Sequence, residues 1–421
     1  MKRLLLFCML FLLLGACSPD KAAAPKEGRQ SIGVQLNQPK TLKGNIKPSA
    51  TVSVKTWGSV YANTSNDRPH ARLSTDVKKK VKTISIGKGI STDRQTLAGP
   101  VVAEHTAYTL DAIFTLQATD ISSGKVLWHR KLGPIEGTSA KSIGLSLSKG
   151  KLYATAGNGE VVALKTTGDE LWRINLKAPL RSGVVVFKDK LFVSSFHNEL
   201  FALDIKNGKV LWQYTGERAA TGFFGMGTPA VNASVVVMPT TSGRVNVFDP
   251  ETGVLLWTED MWSNRTFNPI LDIPHITASP VIDKNTVYLI GNAGKIGAYR
   301  TDNGTSLFAL GIGGRETPLL IGNGLFLISN QNKLIALDKK RGGLYWETQL
   351  TSKEENAVWF GPVAADNQLI VTSTEGDIVF YDIKTGQETW RDRQDSFVAA
   401  PVIADDTILL LTTDGDLLLY H

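Results

Sequence analysis

Cysteine is nearly absent. The chain of 421 residues holds two, Cys8 and Cys17, both near its start. That excludes a disulfide-stapled scaffold, a thiolate metal site and a thiol nucleophile in the body of the protein. Histidine is scarce too: six occur, at 70, 105, 129, 197, 275 and 421. No two stand at a metal-binding spacing such as H-E-x-x-H. Asp414-Gly415-Asp416 lacks the further ligands of a calcium loop, and no glycine-rich phosphate loop leads from a strand into a helix. No metal, no cofactor and no catalytic set is therefore expected. Long apolar runs are missing as well. The longest, Leu4 to Leu14, has 11 residues, about 16 Å as a helix against a hydrocarbon core of roughly 30 Å.

Acidic residues are outnumbered, 39 against 46 basic ones, for a formal charge of +7. Much of the excess lies before residue 56, and Lys78-Lys79-Lys80-Val81-Lys82 adds a local run. No aromatic side chains interleave with these charges to stack bases, so nucleic acid is not an expected partner. Lys2 and Arg3 followed by the apolar stretch form an export signal over residues 1–16. It closes on Leu14-Gly15-Ala16-Cys17, which resembles a bacterial lipobox. That resemblance implies a diacylglycerol on the Cys17 thiol, cleavage before it and an acylated amino terminus. Two or three acyl chains, at about 0.8 kcal/mol per buried methylene, anchor durably. Ser18 in place of aspartate implies passage to the periplasmic face of the outer membrane. Residues 17–78 read as a lipidated tether and lead-in, flexible to about residue 55, where Lys, Pro, Ala and Ser dominate.

What the chain does have is a repeat. Seven times an aromatic residue follows a glycine by four places: Gly124/Trp128, Gly168/Trp172, Gly208/Trp212, Gly253/Trp257, Gly304/Phe308, Gly342/Trp346 and Gly386/Trp390. Successive aromatics lie 44, 40, 45, 51, 38 and 44 residues apart. Asp120, Asp204, Asp249, Asp338 and Asp382 each stand four residues before their glycine. Within each unit come a short strand, a β-rich strand, a two-residue turn such as Asn158-Gly159 or Asp414-Gly415, and two further strands. A period of 40 to 45 with four short strands per unit is that of a β-propeller.

The last unit stops after its third strand, and the alternating segment Val81 to Ile86 is the piece able to fill the gap. The fold class is therefore all-β: an eight-bladed β-propeller of four-stranded antiparallel blades over residues 79–421, the last blade closed by an N-terminal strand. Such closure costs loop entropy but removes the exposed edges that invite aggregation. The aspartate is expected to accept backbone N–H bonds within its turn, and the glycine to supply a positive φ. On this reading the turn pair is replaceable by another turn. Trp128, Trp172, Trp212, Trp257, Phe308, Trp346 and Trp390 are expected to dock blade on blade.

The alanine-x-aspartate, turn glycine and docking tryptophan together resemble quinoprotein-type propeller repeats. Joined to the lipobox and eight units, they resemble the BamB family of outer-membrane β-barrel assembly lipoproteins over residues 17 to 421. That resemblance implies a non-enzymatic scaffold whose inter-blade loops contact the periplasmic domains of a BamA-like barrel insertase, beside other Bam subunits. The corresponding loops here are Gly216 to Met226 and Met261 to Ile276, which place Phe223, Phe224, Met226, Arg265, Asp272 and His275 as partner-binding residues. The first loop is apolar where better-known members carry arginine, and the second keeps a single aspartate, Asp272. An apolar cluster in a glycine-rich loop fits either a partner surface or a plug of the central channel. Two other readings share the fold: a quinoprotein dehydrogenase, which would need a calcium set and usually a vicinal disulfide, and a periplasmic glycan- or peptide-binding propeller.

Overall fold

The computed structural model describes residues 36–59, 62–73, 79–91, 98–133, 143–180, 182–217, 226–262 and 274–421. Eight sheets follow one another along the chain, closing the eight-bladed propeller the repeat predicts. Blades 1 to 7 span residues 98–131, 143–175, 185–215, 230–260, 281–310, 319–349 and 359–393; blade 8 joins residues 402–420 to a strand from the N-terminal side. Each is an antiparallel meander. The first strand of a blade packs on first strands of its neighbours, so these strands line the axis. The two middle strands are buried on both faces by adjacent blades, which is why Val161–Leu164 and Leu325–Ile328 read as unbroken apolar runs. The outermost strands alternate, as in Val210–Thr215, because one face meets water.

Turn chemistry sets the outer hairpin of each blade. The Asp204 carboxylate accepts the Lys206 N–H at 2.7 Å, Asp249 that of Thr252 at 2.7 Å and Asp382 that of Thr385 at 2.8 Å. Gly208, Gly253 and Gly386 follow at φ of 73°, 73° and 70°. Hydrogen bonds from Thr252 N–H and hydroxyl hold the Asp249 carboxyl below its ordinary range. The alanine of the repeat plays a separate part. Ala118, Ala163, Ala202, Ala298 and Ala336 pair directly across the ladder with that blade's docking aromatic. A small residue there leaves the ring room to lie along the sheet.

Closure runs as the sequence requires. Strand β3 (Lys80–Ser85) lies antiparallel to Asp416–Tyr420, with Ser85 opposite Asp416 and Lys82 opposite Leu419. At the place of the repeat aromatic β3 carries Lys82. Its aliphatic stem lies against Gly124 and its ammonium donates to the Ser123 carbonyl.

The chain is bound to the ring from residue 36, where composition alone predicted a tether to about residue 55. Gly311 N–H donates to Asn37 O at the rim of blade 5, and Leu344 N–H to Lys40 O at blade 6. The segment then crosses the face of the first turns, at Lys47 and Asn323, to the axis. There β1 (Thr56–Trp57) pairs with β4 (Ala98–Ala103) of blade 1, and β2 (His70–Ala71) runs parallel to the innermost strand of blade 7. Between them Val231 N–H donates to Thr64 O and Ile282 N–H to Ser65 O. Residues 56–71 thus form a belt along the inner edges of the blades, and Trp57 is 1% exposed.

The belt brings Asp67 toward Asp283 and away from water. Burial, then Asp283, push its pKa from 3.8 to about 7, against the pull of Lys339. A carboxyl raised on folding adds no penalty below pH 4. As pH rises from 4 to 7 the unfolded chain ionises and the folded one resists, so stability falls and stays lower above pH 7. Asp67→Asn is expected to remove that slope and raise stability at pH 7.5, by up to about 4 kcal/mol. Urea titrations of both proteins at pH 4.5 and 7.5 measure it; parallel pH profiles would contradict the assignment.

Candidate functional site on the loop face

Alternating strand direction puts second turns and blade-to-blade connections on one face, opposite the first turns that the N-terminal segment crosses. The repeat aromatics do not serve this face. Trp128, Trp172, Trp212, Trp257 and Trp346 each donate their indole N–H to a carbonyl in the next blade: Thr166 at 3.2 Å, Ile205 at 3.1 Å, Pro250 at 3.3 Å, Thr301 at 2.9 Å and Ile383 at 3.3 Å. Their rings lie on the next blade's turn glycine, as Phe308 lies on Gly342. A Cβ on Gly208 would fall 2.8 Å from the Trp172 ring. The glycine is therefore required by contact as well as by φ, which corrects the expectation that another turn could replace it. Trp390 packs edge-on against Phe380, ring centres 4.9 Å apart, over the blade 8 core.

The loops expected to meet a partner connect blade 3 to blade 4 after Glu217 and blade 4 to blade 5 after Trp262. Phe223, Phe224, Arg265 and Asp272 lie outside the described residues, as does Cys17. Met226 is 6% exposed and His275 fully buried, the latter against the Phe196 ring at 6.0 Å. Both side chains are thus buried in this structure rather than open to solvent.

Residues the sequence reading passed over hold the roots of these loops. Arg244, on blade 4, pairs with Asp260 at 2.9 Å and with Glu217 at 3.6 Å, so one guanidinium ties the start of the second loop to that of the first. Asn198 donates to Glu217 O at 2.6 Å and accepts from Thr241 N–H at 2.8 Å. Lys295 pairs with Glu259 at 2.5 Å. Beside them Trp262, at the described end of the second loop, is 40% exposed. A tryptophan five residues after Trp257 falls outside the repeat, and that misplacement was the available signal.

Further round the face, a cavity of about 390 Å³ opens between blades 6 and 7. Arg315, Glu316, Ser329, Asn330, Asn332 and Glu355 supply its polar lining, and Trp359 part of its wall. Burial raises the Glu316 carboxyl to about 7, opposed by the Gly361 N–H and by Arg68. Among the described residues no group of three or more His, Cys, Asp or Glu could hold a metal ion.

A family model described as outer membrane protein assembly factor BamB matches residues 112–348 and 322–420. The outer membrane protein assembly factor BamB of Shewanella oneidensis is 23% identical over 321 residues, 74% of this chain and 80% of its own. The crystal structure of BamB from Moraxella catarrhalis superposes with a TM-score of 0.66 at 17% identity, covering 82% of this chain and 99% of that one. Quinohemoprotein alcohol dehydrogenase from Comamonas testosteroni superposes with a TM-score of 0.67 at 14% identity, covering 87% and 80%. At such identities the superpositions speak for the fold alone. With matched residues running from blade 1 to the last strand of blade 8, this chain belongs to the family of outer membrane protein assembly factor BamB.

Proposed function

We propose that this chain is a non-enzymatic, lipid-anchored scaffold subunit of the machinery that assembles outer-membrane β-barrels. Its loops 216–226 and 261–276 dock on the periplasmic domains of a BamA-like insertase, with other Bam subunits alongside. Cys17 carries the lipid and holds the ring at the periplasmic face of the outer membrane. The family match across the blades is the observation that carries this reading. The tying of both loop roots by Arg244 supports a rigid, composite docking surface, and exposed Trp262 supplies the kind of aromatic anchor that dominates interfaces.

The experiment is capture of the insertase's periplasmic region by the intact protein and by two variants. Phe223→Ala/Phe224→Ala/Asp272→Ala and, separately, Trp262→Ala are each expected to weaken capture about tenfold or more, with melting unchanged. Wild-type capture by both folded variants would remove the interface from these loops. No capture by the wild type would remove the scaffold reading itself.

A further inference from the structure

Charge is shared unevenly among the outer strands of the eight blades. Those of blades 3 and 5 carry none, those of blades 4 and 6 only acids, and those of blades 2 and 7 both signs. Blades 8 and 1, neighbours in the ring, carry cations and no acid: Lys80 and Lys82 on β3, Arg130 and Lys131 on Val126–Lys131, with His129 beside them. Lys79 and Lys125, each one residue ahead of its strand, extend the set, and Lys79, Lys80, Lys125 and Lys131 are exposed. Lys82, by its bond to the Ser123 carbonyl, holds the two strands side by side. Among the described residues Arg130 is the one member in an ion pair, with Glu170 at 3.8 Å. Lys80 donates to Gln394 Oε1 at 2.8 Å and lies near Asp392 of blade 7. Asp120, the acid of the nearest turn, commits its Oδ1 to the Ser123 N–H and hydroxyl at 2.6 and 2.7 Å.

Aliphatic side chains lie in water at the same rim. Val81 is 56% exposed and Leu127 51%, with Val126 beside it. A row of lysines alone is an ordinary solvated face. Blades 3 and 4 expose valine and leucine as well, but with no cation on the same strand. Lysines interleaved with exposed valine and leucine fit a bilayer interface, where headgroup phosphates take the charge and the acyl boundary the methyl groups. An outer strand of six residues runs about 20 Å, and two of them give a wall rather than a point contact. Nucleic acid would need rings to stack on, and the Trp128 ring is turned onto Gly168 of blade 2.

We propose that the rim of blades 8 and 1 lies against the anionic headgroups of a bilayer leaflet. Lys79, Lys125 and Lys131 meet the phosphates, while Val81 and Leu127 enter the acyl boundary. That the chain works beside a leaflet rests on the anchored reading above; the affinity of the rim does not. The test therefore uses residues 18–421, which keep the whole ring but neither the signal nor Cys17, sedimented with vesicles. Vesicles of phosphatidylglycerol and phosphatidylcholine in equal parts are expected to carry the protein down, and phosphatidylcholine alone not. Binding should weaken as salt rises. Lys79→Glu/Lys125→Glu/Lys131→Glu is expected to bind about a hundredfold more weakly, and Val81→Ser/Leu127→Ser about tenfold. Lys206→Glu/Lys209→Glu/Lys340→Glu changes net charge equally at exposed lysines of blades 3 and 6, and should bind nearly as the wild type does. On vesicles, hydrogen exchange of the wild type should slow in Lys80–Ser85 and Val126–Lys131 but not in Val210–Thr215 or Leu344–Gln349. That measurement stands even if a variant fails to fold. No binding to anionic vesicles, equal binding to both kinds, equal loss in the two lysine triples, or slowing spread over all outer strands would overturn the surface. Rim binding together with an unacylated Cys17 in the mature protein would keep the surface and remove the anchor.

Discussion

Trp172→Ala is expected to cost about 2–4 kcal/mol of stability, somewhat below the range for truncating a fully buried ring. The ring lies between blades 2 and 3, half-buried, on Gly208 and with its indole N–H on Ile205 O at 3.1 Å. Its loss leaves a void between two rigid sheets and an inward carbonyl unpaired. A drop in urea midpoint with an unchanged slope is the readout. The glycine beneath the ring gives a sharper form of the same test. Gly208 and Gly150 have nearly the same φ, 73° and 70°, but a Cβ on Gly208 meets the Trp172 ring at 2.8 Å and one on Gly150 meets nothing within 4 Å. Gly150→Ala is therefore expected to cost only the backbone strain, about 1 kcal/mol, and Gly208→Ala clearly more. Equal losses would mean that these glycines serve turn geometry alone and that the aromatic ring does not bear on them.

The blades were legible because their determinants are local and repeated. An aspartate, a positive-φ glycine and an aromatic four residues on recur within eight positions, and the strand pattern between them is set by burial on two faces. Even the closing strand could be found, since a ring with a three-stranded last blade leaves one edge open. Lys82 was not legible in its role: it replaces an aromatic ring by a hydrocarbon stem, and only its register opposite Leu419 shows the equivalence. Nor was the belt. Its partners are carbonyls and amides scattered over five blades, so it leaves no period, and its polar composition resembles that of a free tether. Loop length marked out the proposed docking face, but not which side chains stay in water. Met226 and His275 sit in loops, yet both are buried. Arg244, Glu217 and Asp260 meet only through the tertiary fold.

Loss of the belt's anchors is expected to be nearly as costly as loss of a docking ring, and differently distributed. Asn66 is fully buried at φ 56°, and its Nδ2 donates to three carbonyls, Thr228 at 3.1 Å, Pro229 at 3.3 Å and Pro280 at 3.0 Å. These carbonyls open blades 4 and 5, beside prolines that have no N–H to offer each other. Asn66→Ala strips all of them at once and strains an alanine in a left-handed conformation, for an expected cost of about 2–4 kcal/mol. Trp57→Ala removes a ring that fills the axis between blades 1, 7 and 8, for about 3–5 kcal/mol. Because the blades carry their own inter-blade rings, the damage should remain at the axis. Hydrogen exchange should quicken in the first strands, Ala98–Ala103 and Trp359–Ala365, which β1 and β2 pair with. Middle strands such as Phe326 to Ile328 should keep their protection in both variants. Exchange rising equally in every strand would mean that the belt is needed for the ring to form at all. Exchange unchanged everywhere would mean that residues 56–71 rest on the channel without holding it.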